Sequence, residues 1–151
     1  MVVRNRFVWM VGGPQGSGVD SGANIFARAS CYAGVYVFGN REYHSNIKGL
    51  HSYFQIRVSE KPLLCHRSHV DLLATFDAET LVRHRGEVAK GGGIIYDPTY
   101  DSVRIQDIPT LEKVVAEDIV SRLKDKGLGE KISDLLKDAK QDGIETYPLP
   151  C

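Results

Sequence analysis

The first residues of this sequence with chemical potential are the glycines of a short turn near the amino terminus. Residues 12–18 are Gly-Gly-Pro-Gln-Gly-Ser-Gly, between an apolar run at 7–11 and a helically spaced segment that begins at Val19. Such a turn points backbone N–H groups at one spot, beside the positive end of the helix dipole, and so favours an anion. The glycines could equally serve only to pack the helix onto the sheet. The residues that we expect to face a cleft are Gly13, Gln15, Gly16, Ser17 and Gly18.

The turn differs from two familiar phosphate-binding patterns. In the dinucleotide fingerprint the second residue after Gly13 would be glycine, whereas it is Gln15 here, and no lysine follows Gly18 as it would in a Walker A loop. The turn therefore favours a ligand-facing role without indicating a nucleotide.

The segment 39–51 carries the densest set of chemical groups. Its thirteen residues include two cations, two imidazoles, two side-chain amides, a phenol and a carboxylate. It has no clear period and is predicted to be a long loop that leaves the carboxyl end of the second strand, where ligands of open α/β sheets bind. An arginine binds a carboxylate or phosphate bidentately and a lysine binds it as a point charge. The candidate binding residues are Asn40, Arg41, Ser45, Asn46 and Lys48.

Neither the histidines nor the cysteines indicate a metal site. His44 and His51 are seven residues apart, with no carboxylate or cysteine placed to complete a ligand set, and each is expected to be solvated or hydrogen-bonded. The three cysteines form no CxxC pair, which excludes a local zinc or iron–sulfur motif on this chain. Cys31 lies in an apolar helical pattern and is predicted to be a small core residue. No metal site is predicted, and no catalytic residue is identified.

Strand-like and helix-like segments alternate along the chain and must position these groups. Strands are predicted at 7–11, 35–38, 52–59, 70–76, 94–96 and 144–147, and helices at 19–33, 78–89, 110–127 and 130–141. Alternation of this kind predicts an α/β domain of three layers, with a mainly parallel sheet and helices on both faces. The fold is expected to be Rossmann-like without being a classical dinucleotide fold. A chain of 151 residues fits a single domain, 1–151.

Composition gives no reason to expect nucleic acid or a membrane as a partner. Nineteen basic residues balance nineteen acidic ones, and no stretch approaches the roughly 20 apolar residues of a membrane span. No signal peptide is recognisable, so a cytoplasmic protein is expected. The charge is uneven, because residues 1–70 hold eight Lys/Arg and three Asp/Glu. This excess is compatible with an anionic ligand near the turn, or with simple neutralisation between the two halves.

Four stretches together resemble a known family. They are residues 12–20 (GGPQGSGVD), 23–27 (ANIFA), 39–49 (GNREYHSNIKG) and 52–54 (SYF). This pattern is similar to the N-terminal γ-type domain of the α subunit of archaeal 2-oxoacid:ferredoxin oxidoreductases, within the wider pyruvate and ketoisovalerate oxidoreductase γ family. The resemblance covers most of residues 5–100 and is weaker beyond them.

The resemblance implies an enzyme that converts a 2-oxoacid, coenzyme A and oxidised ferredoxin into acyl-CoA, CO2 and reduced ferredoxin. Thiamine diphosphate with Mg and an iron–sulfur cluster would belong largely to other domains or to a thiamine-binding β subunit. The implied partners are that β subunit, the remainder of the α subunit, and ferredoxin. Arg41 and Lys48 are then the expected contacts for a substrate carboxylate or a coenzyme A phosphate, in a composite site where the cofactor supplies the difficult chemistry.

Two other interpretations stay open at this point. The chain could be a free-standing nucleotide-binding regulatory module, which would bind nucleotide by itself. It could also be an inactive, prematurely ended gene product, because it stops at Cys151 just after a strand-like run. We expect the chain to be the N-terminal part of a longer subunit and not to be active alone.

Overall fold

The computed structural model describes residues 6–43 and 51–150. The strands are β1 (Phe7–Pro14), β2 (Tyr36–Tyr43), β3 (His51–Ser59), β4 (Val70–Thr75), β5 (Val88–Tyr96) and β6 (Glu145–Pro148). The α-helices are α1 (Val19–Tyr32), α2 (Ala78–His84), α3 (Lys113–Asp125) and α4 (Ile132–Gln141). Short 3₁₀ turns cover Arg85–Glu87, Pro98–Tyr100 and Ile105–Asp107. Within the described ranges, no helix has the length and apolar character needed to cross a bilayer.

All six strands form one mixed sheet in the order β2-β3-β1-β4-β5-β6. Strands β1, β4, β5 and β6 are parallel, whereas β3 runs antiparallel to both of its neighbours, β1 and β2. The predicted α/β domain with a mainly parallel sheet is confirmed. Because β3 lies between β1 and β2, its first residues meet the carboxyl ends of both, with Ser52 opposite Gly13 and Tyr43.

Strand β1 separates two hydrophobic clusters. Val8 and Met10 belong to the larger cluster, which includes residues of α2, α3 and α4, whereas Val11 belongs to the smaller cluster with Val19 and Ala23 of α1. Neighbouring strand residues point to opposite faces, so one continuous apolar strand serves both clusters. Burial of each such aliphatic side chain stabilises the fold by about 1.5–3 kcal/mol.

The predicted loop at 39–51 is wrong at both of its ends. Gly39–Tyr43 continue β2 and pair with β3 throughout, and His51 is the first residue of β3. A Cβ on Gly39 would stand only 2.8 Å from Cε2 of the Phe54 ring. Glycine at this position therefore permits the ring to lie close to the backbone of β2. This segment has no alternating apolar pattern, because Gly39, Arg41 and Glu42 are exposed, and its strand conformation comes from backbone pairing with β3. Residues 44–50 lie outside the described part of the chain.

The predicted helix at 78–89 is too long. Helix α2 ends at His84, a 3₁₀ turn follows, and Val88 already pairs with Val70 of β4. The glycines at 91–93, just after the predicted helix end, lie inside β5, where the register with β4 is irregular. Gly91 has a φ of 81°, and a Cβ on Gly92 would lie 2.8 Å from the carbonyl oxygens of Ala89 and Asp71. These two glycines therefore permit a bulge within the strand.

Cys31 is exposed, so the prediction that it is a core residue is wrong. The buried face of α1 runs through Val19 and Ala23, with Phe26 packed beside them. The last turn of the helix, which carries Cys31 and Tyr32, extends beyond this contact. Helical spacing identified the element, but it does not show where the underlying sheet ends.

Candidate functional site

The glycines of the first turn are of two structural kinds. A Cβ on Gly12 would stand 2.6 Å from Thr80 Cγ2, and one on Gly13 would stand 2.7 Å from Phe76 Cβ. Gly16 and Gly18 both have a φ of 94°, and a Cβ on either would meet nothing within 4 Å. Gly12 therefore permits close packing against Thr80 of α2, and Gly13 permits close packing against Phe76 and Ser17. Gly16 and Gly18 provide a left-handed backbone beside open space.

Helix α1 begins at this turn without a side-chain cap. Gly18 is the N-cap residue and has no side chain with which to cap the first N–H groups of the helix. Asp20 is the acidic residue of the first turn, where a carboxylate is favoured by the helix dipole. The N–H groups of the first turn have no acceptor within the helix, so this end of α1 is suited to a polar or anionic group.

Strand β2 brings a guanidinium to the same place. Arg41 lies opposite Phe54, which packs into the cluster under α1, so its side chain is on the α1 face of the sheet. It forms an ion pair and hydrogen bond with Asp20, and both side chains are partly exposed. Arg41 and the start of α1 are therefore held together although they are 21 residues apart.

A cavity of about 550 Å³ lies between these elements. Its lining residues are Gln15, Gly16, Gly18, Val19, Asp20, Ser21, Arg41 and Ser52. Ser52 is buried, and its hydroxyl donates to the Gly13 carbonyl at 3.2 Å. The volume is in the range of small-molecule sites. A guanidinium, a side-chain amide and helix N-terminal N–H groups around one cavity can bind an anionic or strongly polar ligand.

The structure brings only some of the predicted site residues to this cavity. Gln15, Gly16, Gly18 and Arg41 line it, whereas Gly13 is buried behind it in β1. Ser17 is exposed beside the turn, and its N–H donates to the Pro14 carbonyl at 3.1 Å.

Asn40 and three further candidates are placed differently. Asn40 lies opposite Gln55 and therefore on the face of β2 away from Arg41. Ser45, Asn46 and Lys48 lie outside the described residues. For every one of these candidates a role in binding stays a prediction.

Sequence reasoning missed a buried polar cluster on the opposite face of β3. His51 Nε2 lies 2.8 Å from His84 Nε2, and His84 Nδ1 lies 2.6 Å from Glu87 Oε1. Thr80 Oγ1 is 3.4 Å from His51 Nδ1, and the ring of Tyr53 is edge-on to that of His84 at 4.5 Å. The available sequence signal is the two-residue period of β3, which places His51 on the same face as Tyr53 and Gln55, but the polar character of that face does not predict its burial.

Burial also perturbs two acids beside this cluster. It raises the pKa of the Tyr53 hydroxyl, and a hydrogen bond to the neighbouring Glu42 carboxylate raises it further. It likewise raises the pKa of the Asp77 carboxyl, although Asp77 caps α2 by accepting the Thr80 N–H at 2.8 Å. Both groups therefore favour their neutral forms more than exposed side chains would.

The group His51, Asp77 and Glu79 is the one in the described ranges whose atoms approach metal-ligand spacing. One atom from each lies within 4.8 Å of the others. However, Glu79 accepts from Arg83 Nε at 2.7 Å and from the Thr110 hydroxyl, so both of its oxygens are engaged. The hydrogen bonds account for these side chains without a cation.

Comparison with protein families and curated proteins gives consistent matches. The family model described as pyruvate ferredoxin/flavodoxin oxidoreductase matches residues 8–151. The α subunit of 2-oxoacid:ferredoxin oxidoreductase from Saccharolobus solfataricus is 40% identical over 145 residues, which are 95% of this chain and 23% of that protein. An α subunit of the same description from Aeropyrum pernix is 33% identical over 141 residues, 93% of this chain and 22% of that protein. The chain thus spans less than a quarter of the length of these relatives.

Solved structures show the same fold at low sequence identity. A 2-oxoglutarate:ferredoxin oxidoreductase from Magnetococcus marinus, determined with 2-oxoglutarate, coenzyme A and succinyl-CoA bound, is 17% identical with a TM-score of 0.59, over 93% of this chain and 31% of that one. A pyruvate oxidoreductase subunit from Thermotoga maritima is 18% identical with a TM-score of 0.52, over 93% of this chain and 96% of that one. The fold therefore occurs both within longer chains and as a chain of its own.

Proposed function

The chain belongs to the pyruvate ferredoxin/flavodoxin oxidoreductase family, and from this we propose that it is the γ-type domain of a 2-oxoacid:ferredoxin oxidoreductase. The resemblance noted in the sequence is confirmed, because the curated relatives are α subunits of that enzyme. The proposed reaction converts a 2-oxoacid, coenzyme A and oxidised ferredoxin into acyl-CoA, CO2 and reduced ferredoxin. The structural observation that supports the proposal is the cavity in which Arg41 meets the start of α1.

In this proposal the cavity binds an anionic part of a substrate, either a carboxylate or a coenzyme A phosphate. Arg41 would bind it through its guanidinium, with Gln15 and the backbone of Gly16–Gly18 as further donors. Asp20 already occupies part of the Arg41 guanidinium, so an incoming anion would share or replace that ion pair. Lys48, Ser45 and Asn46 remain predicted contributors from the segment that follows β2.

The cofactor chemistry is proposed to come from other parts of the enzyme. An iron–sulfur cluster of the usual type takes four cysteine thiolates, whereas this sequence has three cysteines, of which Cys31 and Cys65 are exposed and distant in the chain. The donor set of this chain therefore does not fit a cluster by itself. Thiamine diphosphate with Mg and the cluster are proposed to reside elsewhere, with coenzyme A as a substrate.

The proposed partners are a thiamine-binding β subunit, the remainder of the α subunit, and ferredoxin in the cytoplasm. Residues 1–151 would then form one γ-type domain of three layers, with helices on both faces of the sheet. This proposal is supported by the match to about 23% of the length of the α subunits and by a separate relative of similar length.

The test uses the enzyme assembled from this chain, the rest of its subunit and the β subunit. We expect reduction of a viologen dye that depends on both a 2-oxoacid and coenzyme A. Arg41→Ala should raise the KM of one of these substrates about ten-fold, because a hydrogen bond to a charged group contributes about 1.5–3 kcal/mol, reduced by exposure at this site. Lys48→Ala is expected to act in the same direction.

Arg28→Ala is the matched control, since Arg28 is an exposed arginine of α1 that does not line the cavity. Equal kinetics for Arg41→Ala and Arg28→Ala would show that the cavity is not the substrate site. Absence of 2-oxoacid-dependent reduction in the assembled enzyme would contradict the proposed reaction itself. Binding of ADP to the chain alone, without such reduction, would instead support the nucleotide-binding module.

A further inference from the structure

The buried histidine pair lies directly behind the wall of the candidate cavity. His51 and Ser52 are adjacent in β3 and point to opposite faces, so His51 is buried against α2 while Ser52 lines the cavity. Across the sheet, His51 lies opposite Pro14 and Ser52 lies opposite Gly13. Whatever fixes His51 therefore also fixes the register of β3 against the glycine turn.

For two neutral imidazole rings, the Glu87 carboxylate sets the direction of the hydrogen bonds around the pair. Glu87 accepts at His84 Nδ1, so with neutral rings the Nε2 atom of His84 has no hydrogen and must accept. His51 then donates from its own Nε2 across the 2.8 Å contact, which leaves its Nδ1 to accept from the Thr80 hydroxyl at 3.4 Å. With neutral rings the order of donation is therefore Thr80 to His51, His51 to His84, and His84 to Glu87.

These contacts fix the rotation of the His51 ring more tightly than apolar packing would. Hydrogen bonds are directional, and both His51 nitrogens are engaged in them. Tyr53 covers the pair from the side, with ring centroids 4.5 Å from His84 and 6.0 Å from His51. At the Glu87 end the cluster reaches solvent, because the Glu87 side chain is 40% exposed while that of His84 is 8% exposed.

We propose that His84 and Glu87 are positioning residues for the candidate site. Acting through the Nε2–Nε2 hydrogen bond, they hold His51, and His51 places Ser52 in the cavity wall and the start of β3 against the carboxyl end of β1. That the cavity binds substrate rests on the proposed function. The contacts through which Glu87 holds His51 do not depend on that proposal.

The first measurement concerns the imidazole nitrogens of the 151-residue chain. Long-range ¹H–¹⁵N spectra should show His51 protonated at Nε2 and His84 protonated at Nδ1. Glu87→Gln keeps an oxygen that can accept from His84 and should preserve both tautomers. Glu87→Leu removes the acceptor and should change the tautomer of His84 together with the backbone amide signals of Ser52 and Gly13.

The second measurement is kinetic and uses the assembled enzyme. Displacement of a site by about 1 Å can cost about 100-fold in rate. Loss of one hydrogen bond behind the cavity wall should shift Ser52 by less than that, so Glu87→Leu should lower kcat/KM about ten-fold, mainly through KM. Glu87→Gln should restore the value to within about two-fold of the unmodified enzyme, since its hydrogen bond survives. His84→Phe keeps a ring against Tyr53 and should behave as Glu87→Leu does. His69→Phe, at an exposed histidine before β4, is its matched control.

The outcomes separate the inference from the proposed function. A His51 protonated at Nδ1, or Ser52 and Gly13 signals that do not change in Glu87→Leu, would overturn the inference. Changed signals with an unaltered KM would leave the positioning in place and show that the cavity does not bind substrate. If His84→Phe does not fold, Glu87→Leu still tests the inference, because the Glu87 side chain is partly exposed and its replacement should leave the fold intact.

Discussion

Substitution of Gly12 by alanine tests the close packing between β1 and α2. The added Cβ would stand 2.6 Å from Thr80 Cγ2 and 3.2 Å from Thr80 Oγ1. Thr80 is fully buried and β-branched, so within a helix it has little rotational freedom to move away. Overpacking of this kind costs about 1–3 kcal/mol of the free energy of unfolding.

A second substitution identifies the cause of that loss. Thr80→Ser removes Cγ2 and keeps the hydroxyl near His51, at a cost of about 1 kcal/mol for one buried methyl group. In the double variant the alanine methyl occupies the space that Cγ2 leaves. The combined loss should therefore be smaller than the sum of the single losses by about 1 kcal/mol or more.

The assay is urea unfolding followed by far-UV circular dichroism, with all four proteins compared at one temperature. Gly16→Ala is the control, because its methyl would enter open space and its cost of about 1–2 kcal/mol would come from the φ of 94° alone. Thr80→Ser should not relieve that cost. Losses for Gly12→Ala and Thr80→Ser that add to within about 0.5 kcal/mol would refute the argument from packing.

Three further predictions concern the same half of the molecule. Asp20→Asn should lower the KM of the proposed anionic substrate about two- to three-fold in the assembled enzyme. The substitution removes an exposed ion pair with Arg41 that is worth about 0.2–1 kcal/mol. A raised KM would contradict this prediction. The free energy of unfolding should fall as the pH rises above about 10, because the pKa of Tyr53 is higher in the folded state than in the unfolded state. Tyr53→Phe should make that fall smaller when urea unfolding is measured across this pH range. Gly22→Ala should raise the midpoint of thermal unfolding, because alanine favours the helix by about 0.5–1 kcal/mol and its methyl group would meet nothing within 4 Å. An unchanged midpoint would show that the methyl group does meet a neighbour.

The elements with strong local signals were predictable from sequence. The run Phe7–Val11 is buried on both faces, and the helical spacing from Val19 predicted α1 almost to its last residue. Each pattern arises from side chains that one element buries for itself. The glycine turn was also predictable, because only glycine readily takes the positive φ found at Gly16 and Gly18.

The predictions failed where distant residues determine the structure. Gly39–Tyr43 form a strand because β3 pairs along their full length, and Val88 begins a strand because Val70 of β4 lies beside it. In both cases the partner belongs to another strand, so no period within the segment itself reports the pairing. The candidate site was predictable only as two neighbouring segments, because Arg41 and Asp20 meet through the order of the strands.

The two hydrophobic clusters differ greatly in size, which has a consequence for local stability. Among the described residues, twenty-two are buried in the cluster on the α2 side and five in the cluster under α1. Less buried apolar surface means a lower free energy of local opening. We therefore expect the amide hydrogens of α1 to exchange with solvent through partial unfolding, while those of β4 and β5 exchange only when the whole domain unfolds. Since the candidate cavity is built on α1, a bound ligand should slow exchange along that entire helix, well beyond the atoms that it contacts.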